Sequence, residues 1–402
     1  MTRKNFQWLC YERTVDVDSK PLAALPSSLE LRARLDSMAV RRGWPVSSDV
    51  ARLGKIVSSL SVAYNTTGRS APEHLPARLA FWLPRDLPKV YEATRELRLA
   101  GLLNPSRPVV RILDIGAGLG ASTLGLLYAL REAGCAATIE VTLVDDDASA
   151  LTIAKELLAA LHVQVKTHAP AASPKAYGTN FDYIVLSQVL SELDRDEPDE
   201  AARAVKHAVF VGELGRAALT EEGSLIVVEP ALRERTRHLH RVRAALLDTG
   251  VLHLFAPCLH SDACPALTLE TDWCHEDRPV DLPEYLVPVA KNAGLRWEGL
   301  TFSFLVLRRA EGNAVSLLPV DALRKRVVSD VRKTKGKNEV SLCGDVEGDA
   351  RRLRYLRLDR EATSENEAFA KLQRGDLVTL SGDRSRAGRV GPETRVDIQP
   401  KS

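Results

Sequence analysis

Apolar and polar positions recur with two different periods along this chain. Up to about residue 100 the spacing is helical: Leu31 and Leu35 fall between charges in residues 29–40, and residues 50–64 repeat the pattern. Residues 75–97 predict a third helical region, with breaks expected at Pro84 and Pro88. The stretch NPSRP, 104–108, then leads into Val109, Val110, Ile112 and Leu113, a short run of the kind buried in a parallel sheet. Residues 138–144, 181–186 and 225–228 have the same character, and 201–219 reads as a crossover helix before the last of them. After about residue 312 the stretches VSLCGDV, LRYLRL and DLVTLSG alternate and are separated by Gly and charged turns, which predicts a small β domain. Residues 384–402 are polar and expected to fray. The expected organisation is a helical N-terminal region over 1–104, a doubly wound α/β domain over 105–311 and a small β domain over 312–402.

Asp114 ends the first buried run, and Gly116, Gly118 and Gly120 follow at alternate positions. Missing Cβ atoms there permit a tight turn and let a ligand approach bare backbone. Ser122 or Thr123 is expected to cap the next helix, which carries Leu124, Leu127 and Leu130 on one face. Such a turn at the carboxyl end of a parallel strand is where doubly wound folds bind nucleotides. Gly116-x-Gly118-x-x-Ala121 satisfies the relaxed dinucleotide fingerprint, so NAD and FAD stay open on the glycines alone, as does a turn with no ligand. The spacing D-x-G-x-G-x-G from Asp114 to Gly120 instead resembles the first motif of class I S-adenosylmethionine-dependent methyltransferases. The second strand ends in Asp145-Asp146-Asp147, and Asp145 is placed to accept hydrogen bonds from both ribose hydroxyls of either ligand. Ser187 and Gln188 close the third strand, where methyltransferases place residues of the pocket floor and a dehydrogenase needs a proton-transfer group.

Length and composition add only bounds. At 402 residues two or three domains are expected, and 45% hydrophobic with 27% charged residues is ordinary for a soluble globular chain. The net charge of +2 points to no partner. No apolar run has the length of a membrane span, and the N-terminal segment lacks a signal core, which reads as a cytoplasmic, bacterial protein, expected to be a monomer without a membrane partner. Local charge says more. Residues 231–243 carry Arg233, Arg235, Arg237, Arg241 and Arg243, and residues 324–337 hold seven Lys or Arg against Asp330 alone. Runs of this kind suit phosphate backbones, and two in one chain favour RNA over a merely solvated helix face.

The cysteines carry the most specific signal. Three of six fall in Cys258-LHSDA-Cys264-PALTLETDW-Cys274, with His260 and His275 beside them, and such clustering in a cytoplasmic protein points to metal. Cys343, in SLCGD, is the best fourth ligand; four thiolates suit a [4Fe-4S] cluster or structural zinc, and the spacing alone names neither. Cys10 and Cys135 read as ordinary free thiols.

Together, DIGAGLGAS, SQVLSEL, VVEPALRERTRHLHRVR, APCLHSDACPAL and DWCHED resemble the methyltransferase-like assembly factors of the mitochondrial small ribosomal subunit and their bacterial homologues, over roughly residues 75–345. The resemblance implies a class I methyltransferase-like fold that binds S-adenosylmethionine, a [4Fe-4S] cluster on Cys258, Cys264, Cys274 and Cys343, and binding to small-subunit ribosomal RNA during assembly. The cluster is expected to lock the nucleotide domain to the β domain. No Asn-Pro-Pro-Tyr motif follows the third strand, no Pro-Cys pair stands there, and residues 162–167 lack an acid to read the adenine. No catalytic residue is therefore named. A ribosomal RNA methyltransferase and a non-catalytic, ligand-gated RNA-binding factor both remain, with the second preferred.

Overall fold

The computed structural model describes residues 26–66, 70–103, 107–171, 173–344, 352–382 and 388–399; Cys10, the N-terminal segment and most of the 104–108 punctuation lie outside them. The chain forms two compact units, one of residues 1–196, 217–228 and 279–300, the other of 197–216, 229–278 and 301–402.

The first unit opens with α1 (Ser28–Arg41) and α2 (Val50–Thr66), as the apolar spacing predicts. Ser27 and Glu30 close a capping box at the start of α1, each side chain accepting from the other's backbone N–H. A short α3 (Leu75–Ala77) runs into a π-helical turn, Arg78–Trp82, then α4 (Leu83–Ala93) and α5 (Arg95–Leu99). The expected breaks at Pro84 and Pro88 do not occur. Pro84 sits in the first turn of α4, where its missing N–H costs nothing, and burial of Leu83, Leu87, Val90 and Ala93 carries the helix through Pro88. The irregularity falls one turn earlier, in the π turn.

Next come β1 (Val109–Ile115), α6 (Ala121–Glu132), β2 (Thr138–Val144), α7 (Ala148–Ala159), β3 (Gln164–His168), β4 (Phe181–Ser187) and β5 (Leu219–Glu229). The strands lie in the order β3-β2-β1-β4-β5, all parallel, with Val109 opposite Thr138 and Ile112 opposite Tyr183. The order reverses between β1 and β4, so the glycine turn at the end of β1 stands at the crevice where open α/β sheets bind ligands. This sheet is the doubly wound α/β fold that the sequence predicts.

The second unit holds α8 (Glu200–Ala217), α9 (Arg233–Leu247), β6 (His253–Ala256) and β7 (Glu276–Arg278); α10 (Val287–Asn292) belongs to the first unit, where Leu286, Val289 and Ala290 share a core with Leu53, Val57 and Phe81. β8 (Leu300–Arg308) pairs with β6 and β7. A second, antiparallel sheet follows in the order β10-β11-β9-β13-β14, made of β9 (Leu323–Val327), β10 (Arg332–Thr334), β11 (Lys337–Gly344), β13 (Leu377–Gly382) and β14 (Thr394–Ile398), with β12 (Arg352–Leu358) on β11. Val327, Val340, Leu342, Tyr355, Phe369, Val378 and Val396 form its core. Residues 388–399 therefore do not fray: Val390 and Val396 are buried, and β14 pairs with β13 from Val378 opposite Ile398 to Gly382 opposite Thr394. Two isolated valines among polar neighbours were too weak a pattern to show this.

Candidate functional site

Gly116, Gly118 and Gly120 all adopt left-handed backbone, with φ of +69°, +51° and +85°. A Cβ on Gly116 would overlap the Val189 side chain, so this position needs glycine for space as well as for conformation. Asp114 is fully buried, and its Oδ2 accepts from Ser122 Oγ at 2.7 Å, Thr123 Oγ1 at 2.6 Å and Thr123 N at 3.1 Å. Ser122 and Thr123 thus do not cap α6, whose N-cap is Gly120; they fasten its first turn to the strand end. Asp114 Oδ1, also buried, has no hydrogen-bond partner among the described residues. Asp145 accepts from Gly118 N at 2.7 Å through one oxygen and from Asp147 N at 2.9 Å through the other, which fixes the acid against the turn.

Burial pushes the Asp114 carboxyl up to about 6 from its ordinary 3.8, and the bonds from Thr123 and Ser122 oppose this only in part. A carboxyl raised by folding favours the folded state when protonated. That stability is complete below pH 3.8 and is lost as pH rises through about 6. Asp114→Asn is expected to flatten this part of the profile in thermal unfolding between about pH 4 and 7, and a slope unchanged in the variant would exclude Asp114 as its source.

The N-terminal helices, legible in the sequence only as a cap, reach this site. Arg78, in the π turn, donates from Nη1 to Asp147 Oδ2 at 2.6 Å and to Ser70 Oγ at 3.2 Å, and its Nη2 lies 3.1 Å from where a Cβ on Gly118 would stand. Asp86 in α4 accepts from Gln188 Nε2 at 3.1 Å and pairs with Lys89 at 2.8 Å. Gln188 holds φ +63°, a conformation uncommon outside glycine, and its N–H donates to Val228 O at 2.7 Å. Ser187 ends β4 beside it, half-buried.

All four candidate cysteines lie in the second unit. Burial raises the Cys343 thiol, and Cys274, Cys258 and Cys264 follow as the next causes, so the four sulfurs stand within electrostatic reach of one another. Cys343 Sγ is 3.6 Å from His260 Nε2. Its ladder partners are Arg326 in β9 and Arg352 in β12; Arg326 pairs with Glu276 at 3.2 Å and Arg352 with Asp272 at 2.6 Å. Burial also raises Cys258 and Cys264. Among the described residues no three His, Cys, Asp or Glu side chains close to metal-binding geometry. Cys135 is buried elsewhere, in the first unit.

The first basic run is split: Arg233 is exposed and Arg235 and Arg241 are half-buried, whereas Arg237 and Arg243 turn inward. Arg243 is 0% and Arg237 9% exposed, and His238 and His240 are buried with them. Arg237 Nη1 donates to the carbonyls of Ala266, Leu269 and Asp272 at 2.7–2.9 Å, and Arg243 donates to Asp262 O at 2.9 Å and His260 O at 2.7 Å. The arginines hold the cysteine loop by its backbone, a task that run composition cannot distinguish from phosphate binding. In the second run Lys325 and Arg326 are buried, whereas Arg332, Lys333 and Lys335 are exposed on the β10–β11 hairpin.

Residues 89–375, more than two thirds of the chain, match a protein-family model described as mitochondrial small ribosomal subunit Rsm22. No curated protein matches the chain in sequence. Solved structures similar to it include the plantazolicin methyltransferase BpumL in complex with SAH (10% identity, TM-score 0.34, covering 70% of this chain and 99% of that one). Others are a SAM-dependent methyltransferase of Leishmania major (16%, 0.33, 68% and 91%) and the 16S rRNA methylase ArmA (11%, 0.31, 63% and 98%).

Proposed function

The chain belongs to the family of mitochondrial small ribosomal subunit Rsm22, and on that premise we propose that it is a small-subunit assembly factor that binds ribosomal RNA. S-adenosylmethionine occupies the glycine turn and a [4Fe-4S] cluster the four cysteines. The observation that carries this reading is that Cys343 of β11 stands in the same unit as the Cys258, Cys264 and Cys274 loop and lies against it, its Sγ 3.6 Å from Nε2 of the loop's His260. Four soft donors with no carboxylate among them fit an iron–sulfur cluster, or zinc as the alternative. When bound, either centre supplies a four-point thiolate crosslink between the loop and β11. Residues of this chain do the rest: Arg237 and Arg243 hold the loop, and Arg332, Lys333 and Lys335 meet the RNA backbone.

The glycine turn fits an adenosyl amino acid. Asp114 Oδ1 is a buried acceptor in want of a donor, which the ligand's ammonium supplies, and Asp145 stands where the ribose hydroxyls come. Gln188 favours the second reading, an active ribosomal RNA methyltransferase, because a strained backbone carrying a tethered side chain at a strand end often marks a site where substrate is held. We place the protein in the bacterial cytoplasm, while the family's description names the mitochondrial subunit. Among the described residues no helix is long and apolar enough to cross a membrane.

The test is incubation of the purified full chain with methyl-labelled donor and small subunits from cells lacking it. The assembly-factor reading expects donor binding, salt-sensitive RNA binding and no label in RNA. Label in RNA establishes the methyltransferase instead, and failure to bind small-subunit RNA at low salt overturns both.

A further inference from the structure

We propose that Arg78 is the residue that binds the α-carboxylate of the adenosyl amino acid, an assignment that rests on the ligand class proposed above. The other groups fixed at the turn are acceptors: Asp114 Oδ1 for an ammonium and Asp145 for hydroxyls. A zwitterionic ligand brings one anionic group as well, and three carboxylates in the same crevice, Asp114, Asp145 and Asp147, would repel it.

Arg78 is a cation that stands against this turn, its Nη2 3.1 Å from where a Cβ on Gly118 would be. Its side chain is only 12% exposed, so a charge pair there is weakly screened. Nη1 is engaged by Asp147 and Ser70, which orients the guanidinium plane, and Nη2 lies at Gly118, where the absent side chain leaves room beside the backbone. A planar fork with one edge anchored and the other at the glycines suits carboxylate recognition better than a flexible ammonium does. The π turn that carries Arg78 is the helical irregularity met in this segment, and such turns recur at functional sites. Asp147 has two duties in this arrangement: it caps α7 through Ala150 N at 3.0 Å and holds Arg78 in place.

Ligand truncation tests the assignment. S-adenosylhomocysteine carries the carboxylate, and 5′-methylthioadenosine keeps the nucleoside but lacks it. By calorimetry on the full chain, Arg78→Gln is expected to weaken S-adenosylhomocysteine by roughly 10-fold or more while leaving methylthioadenosine within about 2-fold. Arg78→Lys keeps the charge without the fork and is expected to recover part of that discrimination; it serves as the measurement if the glutamine variant does not fold. Equal weakening of both ligands, or unchanged S-adenosylhomocysteine binding, overturns the role of Arg78 and leaves the ligand class standing. If wild type binds neither nucleoside, the ligand class falls and the assignment falls with it.

Discussion

On the proposed four-thiolate centre, Cys264→Ser is expected to abolish metal binding and to lower the melting temperature by roughly 10 °C or more, the shift that a loss of several kcal/mol produces in a unit of this size. Cys264 is 9% exposed and sits between two anchored stretches, with Arg243 holding the carbonyls of His260 and Asp262 before it and Arg237 those of Ala266, Leu269 and Asp272 after it. A serine there leaves a three-thiolate site, and the binding energy of a four-ligand centre is folding energy for the segment that it closes. Iron, sulfide and zinc analysis after anaerobic purification, with a visible absorption spectrum, reads the first effect and calorimetry the second. Cys135→Ser is the control: it removes a buried thiol from the other unit and should keep the metal. Metal content and melting temperature unchanged in Cys264→Ser would take that residue out of the ligand set, and zinc without iron would replace the cluster by the alternative centre.

Gly125→Ala is expected to destabilise the first unit by about 1–3 kcal/mol, although alanine is the better helix former by about 1 kcal/mol. Gly125 lies in α6 where α4 crosses it. A Cβ there would overlap the Leu87 carbonyl oxygen and come within 3.2 Å of Tyr91 N and 3.3 Å of Val90 Cβ. Two of these obstacles are backbone atoms, which cannot step aside as a side chain can, so α4 must move as a body and overpacking outweighs propensity. Because α4 carries Asp86 to Gln188, the same substitution should also weaken nucleoside binding. Denaturant unfolding measures the first effect. A variant as stable as wild type would show that α4 and α6 do not approach as closely as the structure has them.

The elements were largely legible, because the buried parts of β1, β2, β4 and β5 are apolar runs and α1 and α2 keep a helical period, whereas β3, QVKTH, carries no such run. The glycine turn was legible for a similar reason: left-handed backbone leaves glycine behind at fixed intervals. What escaped were residues whose partners lie far along the chain. Arg78 is 40 positions from Gly118, and nothing in the segment around it signals that it reaches the glycine turn. Ser122 and Thr123 look like caps, yet a buried carboxylate eight or nine residues back accepts their hydrogen bonds. The arginines of α9 read as a nucleic-acid surface because composition records charge and not direction, and only the fold turns Arg237 and Arg243 inward. The cysteines stood out because thiols in a loop are conspicuous without any packing.

The arginine contacts of α9 bear on when the cysteine loop loses its freedom. Free chain in residues 258–274 would surrender its conformational entropy on capturing metal, at a cost of about 1–2 kcal/mol for each residue ordered. Here carbonyls at 260, 262, 266, 267, 269 and 272 are already claimed by two buried guanidinium groups within the same unit. The ordering is thereby moved from the moment of metal capture to the moment of folding. For the proposed centre the loop backbone is then ordered before the sulfurs close on it, so affinity carries little deduction for arranging that backbone.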